Sequence, residues 1–133
     1  MDDCFLIVVF DDASAVPVSH ILFDIGAEYA PATLSCPAFE LDQVATEADI
    51  RRIIPQLPGC TDSFAVLGFR DGTYMQVETD GRGFHLEHQL VTTAAHYRCA
   101  EAVSADQAVA AFLSYGFGHY EWARTYRWER MDL

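Results

Sequence analysis

Basic residues are scarce in this chain: 8 stand against 20 acidic ones in 133 residues, for a formal net charge of -12. Phosphate backbones are held by basic stripes, and anionic membrane surfaces attract the same charge. Neither nucleic acid nor a membrane is therefore expected as a partner. Long apolar runs are missing too. The run Phe5 to Phe10 falls far short of the roughly 20 residues that a spanning helix needs. The start, Met1-Asp-Asp-Cys4, lacks the basic region of a secretory signal, so a cytoplasmic location is expected. The four cysteines, Cys4, Cys36, Cys60 and Cys99, show no C-x-x-C spacing. In a reducing compartment they read as free thiols, and neither a disulfide nor a zinc site is supported.

Motifs of known chemistry are also lacking. There is no G-x-S-x-G, no Walker loop, no dinucleotide fingerprint and no EF-hand spacing. Asp80-Gly-Arg-Gly83 carries two glycines but joins two strands and precedes no helix, so it reads as a turn. No internal repeat or low-complexity tract is present.

What the chain does have is material for a core. Hydrophobic residues make up 51% of it and mean hydropathy is +0.07. A single domain spanning 1–133 is expected. Its clearest segment runs from Ser63 to Trp128. Phe64 to Arg70 and Thr73 to Thr79 are apolar-rich runs separated by Asp71-Gly72, a pair suited to a type I′ hairpin turn. Asp80 to Gly83 reverses the chain into Phe84 to Leu90, and a short strand follows over Ala95 to Cys99. Alternation puts Met75, Val77, Phe84, Leu86, Leu90, Tyr97 and Cys99 on one face. Tyr74, Gln76, Glu78, His85, Glu87, Gln89, His96 and Arg98 fall on the other.

Ser104-Ala-Asp-Gln107 has the form of a capping box, and Asp106 suits the positive end of a helix dipole. Ala105, Ala108, Val109, Phe112 and Leu113 recur at helical spacing, and Gly116 and Gly118 are expected to stop the helix. A helix over 104–115 should pack on the apolar sheet face. Tyr120, Trp122, Tyr126 and Trp128 then read as a short helical turn around Trp122 and a last strand near Trp128, aromatics that close a core or, alternatively, anchor an interface.

Upstream, Cys4 to Phe10 and Val18 to Asp24 read as strands. Residues 27–42 read as loop with room for one short strand, because Pro31 and Pro37 break any helix. Thr46 caps a helix carrying Ile50, Ile53, Ile54 and Leu57. The expected fold class is α+β: five to seven mostly antiparallel strands with two helices.

The candidate chemistry sits on the polar face. His85-Leu-Glu-His88 lies in a strand, which turns the two histidines to opposite sides, so it is not a helical metal motif; no metal site is expected. Cys99 and His96 likewise face apart, which defeats a nucleophile–base pair. Tyr74, His85, Glu87, His96 and Arg98 are residue types an acid–base or small-molecule site would use. A solvated sheet face would carry the same residues.

Val103-Ser-x-x-Gln107, the alanine-rich helix ending near Tyr115, and Trp128-Glu129 resemble the C-terminal pattern of small acidic bacterial immunity proteins. Tyr74-Met-Gln-Val-Glu78 and Gly83-Phe-His-Leu-Glu87 are similar to strands in proteins of that kind. The resemblance spans residues 73–129 and carries over no functional residue. It implies a non-enzymatic cytoplasmic inhibitor, without cofactor, that occludes a basic toxin domain of a polymorphic-toxin or contact-dependent system. An acidic inhibitor gains association rate and complementarity against such a cleft. Glu78, Glu87, Glu121 and Trp122 are the expected partner contacts. The alternative is a small-molecule binder or enzyme using Tyr74, His85, Glu87, His96 and Arg98. Homodimerisation through an edge strand is also compatible with the sequence.

Overall fold

The computed structural model describes residues 10–11, 16–17, 32–69, 71–118 and 120–132. The strand expected over 18–24 and most of the one over 4–10 lie outside these. A two-residue ladder pairs β1 (Phe10–Asp11) with β2 (Val16–Pro17). The rest of the described chain builds an α+β fold around one seven-stranded antiparallel sheet. Its strands are β3 (Thr33–Cys36), β4 (Leu41–Val44), β5 (Phe64–Gly68), β6 (Tyr74–Thr79), β7 (Phe84–Gln89), β8 (His96–Cys99) and β9 (Trp128–Arg130). Their order across the sheet is β4-β3-β5-β6-β7-β8-β9.

Two connections leave the plane of the sheet. The first carries α1 (Glu47–Ile53) from β4 back to β5, which lies beside β3. Thr46 caps α1, its hydroxyl accepting the Asp49 amide at 3.1 Å. The second carries α2 (Ala105–Phe117) and α3 (Glu121–Thr125) from β8 to β9. The capping box of α2 is present in full: the Gln107 amide donates to Ser104 Oγ at 3.1 Å, and the Ser104 amide donates to Gln107 Oε1 at 2.8 Å. Each cap satisfies amides that the helix geometry leaves unpaired.

All three helices bury their apolar sides in one core. Ile50 and Ile53 from α1, Ala108, Ala111, Phe112 and Tyr115 from α2, and Trp122 from α3 meet Leu34, Leu67, Met75, Val77 and Leu86 from the sheet. Among the described residues the helices therefore cover one face of the sheet, and the other carries strand residues alone. The alternation read from the sequence holds. Met75, Val77, Phe84, Leu86, Leu90 and Tyr97 are buried, and register places Tyr74, Gln76 and Glu78 opposite Gln89, Glu87 and His85.

The structure differs from the sequence reading at four places. Residues 33–44 form two paired strands rather than one, because Pro37 opens a single 3-10 turn and Glu40, at φ 52, completes the reversal. The 70–72 connection is not a type I′ turn. Phe69 and Thr73 close it, with the Phe69 amide donating to the Thr73 carbonyl at 2.8 Å. Gly72 has φ +93, whereas Asp71 lies outside the positive-φ region and its carboxylate accepts the Thr73 amide at 3.0 Å. Gly116 does not end α2, which runs on to Phe117. A Cβ at Gly116 would stand 3.1 Å from Leu67 Cδ2, so this glycine lets the helix lie close to the sheet. Finally, the helical turn expected around Trp122 is present as a helix over Glu121–Thr125, which makes three helices rather than two.

Candidate functional site: the open face of the sheet

Side chains on the uncovered face fall into rows that cross the strands. One row runs Asp42, Ser35, Val66, Gln76, Glu87, Arg98, Glu129 from edge to edge. Another runs Val44, Thr33, Gly68, Tyr74, Gln89, His96. A short third row holds Phe64, Glu78 and His85. Cross-strand neighbours stand close enough to interact directly, and this explains most of the pairing seen.

The second row contains the structured part of the site. His96 is only 2% exposed although it lies on the uncovered face. Its Nε2 is 2.7 Å from Glu87 Oε1, and its Nδ1 is 3.0 Å from Gln89 Oε1. The Tyr74 hydroxyl is 3.5 Å from the same Nδ1, with its ring edge-on to the imidazole. Gln89 cannot flip, because its Nε2 donates to the Gly72 carbonyl at 3.1 Å, and a carbonyl only accepts. Its Oε1 must then face His96, so Nδ1 carries the hydrogen. Nε2 faces the Glu87 carboxylate. Both ring nitrogens are engaged by side chains of the same face. Partial burial, with the Glu87 charge adding to it, pushes the Tyr74 phenol above its usual range. At neutral pH it is an O–H group.

The remaining candidates on this face are tied more loosely. His85 Nε2 stands 3.4 Å from Asp80 Oδ2. Asp80 is held below the usual carboxylate range, first by the Arg82 amide and then by His85. Arg98 reaches Glu129 at 3.9 Å, with both side chains about half exposed. Between β7, β8 and the chain that follows β8 lies a recess of about 420 Å³, lined by Glu78, His85, Glu87, Arg98 and Glu101 among others.

The four expected partner contacts do not form one surface. Glu78 and Glu87 share the uncovered face, and Glu87 is tied to His96 there. Glu121 belongs to α3, in the helical layer, and accepts from the Ser114 hydroxyl at 3.0 Å. Trp122 is a correction: at 2% exposure it is a core residue, its ring centroid 4.9 Å from that of His88 and 5.1 Å from that of Tyr115. Helical spacing turns it inward while its neighbour Glu121 stays out. Of the alternative ligand set, Tyr74, Glu87 and His96 converge in one network, whereas His85, in the third row, pairs with Asp80, and Arg98, though opposite Glu87 in the first row, reaches Glu129. The sequence reading left out Gln89, which completes the network. Alternation put Gln89 on this face, but its place opposite both Tyr74 and His96 is set by strand register.

Among the described residues no group of three or more His, Cys, Asp or Glu side chains is arranged to hold a metal ion. No helix among them is long and apolar enough to cross a membrane. Compared with protein-family models, curated proteins and solved structures, the chain matches none.

Proposed function

We propose that this chain is a non-enzymatic protein-binding module whose uncovered sheet face captures a basic partner. The partner that best fits is a bacterial toxin domain, with this chain as its cytoplasmic immunity protein. One observation carries the reading: the strand residues of that face hold four carboxylates, Asp42, Glu78, Glu87 and Glu129, against one guanidinium, Arg98. Nucleases and related toxins are basic where they hold anionic substrates, so an acidic sheet laid over such a cleft blocks it. His96 fits the same reading through its burial, held as it is between Glu87 and Gln89.

The test begins with the basic protein that the tagged chain recovers from its own host. Glu78→Arg with Glu129→Arg reverses two exposed charges and spares the His96 network. Association at low salt should slow about tenfold or more, and its dependence on ionic strength should flatten. Unchanged values of both would remove this face from the interface.

A second reading, a small-molecule site around Tyr74, His85, Glu87, His96 and Arg98, draws on the Tyr74–His96–Glu87 contacts. A compound screen that shifts the NMR signals of Tyr74 and His96 together would favour it.

A further inference from the structure

The connection between β7 and β8 contains a non-glycine residue in a backbone conformation that glycine would adopt more easily. Val91 has φ 67. The Thr92 amide donates to the Leu90 carbonyl at 2.7 Å, so the chain closes a γ-turn around Val91. This hand of γ-turn is rare and strained, and a β-branched residue is the least suited to it. The turn is also locked from outside. The Val91 amide donates to Thr73 Oγ1 at 3.2 Å, and Thr73 is buried. The Val91 carbonyl lies so close to Gly72 that a Cβ there would stand 2.4 Å from its oxygen. Gly72 in turn accepts the Gln89 amide that orients His96.

The side chain gains nothing from the core that would offset this strain. Val91 is 38% exposed, one of three large apolar residues left exposed among those described. Residues held in sparse backbone regions persist where the surroundings fix them, and they concentrate at binding and switch sites. The hairpin geometry is compatible with glycine at 91, yet the chain places an isopropyl group there and turns part of it to solvent. The turn follows directly after Gln89, at the end of the strand that supplies Glu87 to the acidic face.

We infer that Val91 is an apolar contact residue for the basic protein partner, held outward by the strained turn. The inference rests on the protein-binding reading above. Apolar contacts set among charged ones are the usual composition of a protein interface, where they exclude water from the neighbouring ion pairs.

Two variants test it, measured against the basic protein recovered by the wild-type chain. Val91→Gly removes both the side chain and the strain. It should melt about 2–5 °C higher than wild type and bind about tenfold more weakly. Val91→Ala removes the two methyl groups and keeps a Cβ at positive φ, so it should bind more weakly with its melting temperature within about 2 °C of wild type. A purely structural residue would not pair higher stability with lower affinity. Wild-type affinity in both variants would overturn the contact role while leaving the binding reading in place. A Val91→Gly protein that melts lower would overturn the strain argument. If the wild-type chain recovers no basic protein at all, the binding reading fails and this inference fails with it.

Discussion

The two faces of the sheet bury side chains by different means. On the covered face, Leu34, Leu67, Met75, Val77 and Leu86 are closed off by helices, and apolar contact suffices. On the other face His96 is as buried as Trp122, yet it lies among polar side chains, Glu87, Gln89 and Tyr74. A buried polar group is tolerated only when its hydrogen bonds are made, so here burial depends on orientation as well as proximity. Those five apolar side chains depend on volume. The uncovered face depends on a chain of donors and acceptors that ends at the Gly72 carbonyl.

That contrast can be broken by substitution. Trp122→Ala empties the largest fully buried side chain of the core, where it touches His88, Tyr115 and Trp128. It should cost about 3–5 kcal/mol in denaturant unfolding. His96→Phe keeps an aromatic ring but strands the Gln89 oxygen and the Glu87 carboxylate. The expected loss is about 1–3 kcal/mol, toward the lower end because Glu87 can turn to water. A loss equal to that of Trp122→Ala would mean that both faces are held by packing, and the distinction would fall.

The smallest effect at neutral pH is expected at Tyr115, which lies between the faces in influence. Burial, with Asp71 and Tyr74 adding to it, pushes its phenol well above the ordinary range. Below about pH 10 the phenol is neutral whether the chain is folded or not, so it imposes no pH dependence. Above that the unfolded chain ionises first and the folded state loses stability as pH rises. Tyr115→Phe should move the alkaline unfolding midpoint upward, as circular dichroism against pH would report. An unmoved midpoint would assign alkaline unfolding to other groups.

Much of this was legible in the residues. Alternation over β6, β7 and β8 assigned side chains to faces correctly, because a half-buried strand has no other way to hide alternate residues. The Ser104–Gln107 box located the start of α2, because that pattern answers a local need for amide partners. Other features depended on contacts distant in sequence. Gly116 looked like a stop signal, and only the closeness of Leu67 explains a glycine inside the helix. Trp122 read both as a core-closing aromatic and as a partner contact, because its short helix gave too little periodicity to orient it. In the candidate site, Tyr74, Glu87 and His96 were on the right face, but period two reports side and not depth. Neither the burial of His96 nor the role of Gln89 follows from it. A connection at Val91 was legible between the two strands, but its positive φ was not, since valine favours strands.

Both described crossovers lie on the same side of the main sheet, and this separates two kinds of information within one strand. In β6 and β7 every second residue answers to the core, and the residues between answer to whatever meets the other face. Under the protein-binding role proposed above, a change of partner can therefore be written into positions such as Gln76, Glu78 and His85 without altering the residues that decide whether the chain folds. Libraries varied only at such alternate positions would explore new specificities on an unchanged scaffold.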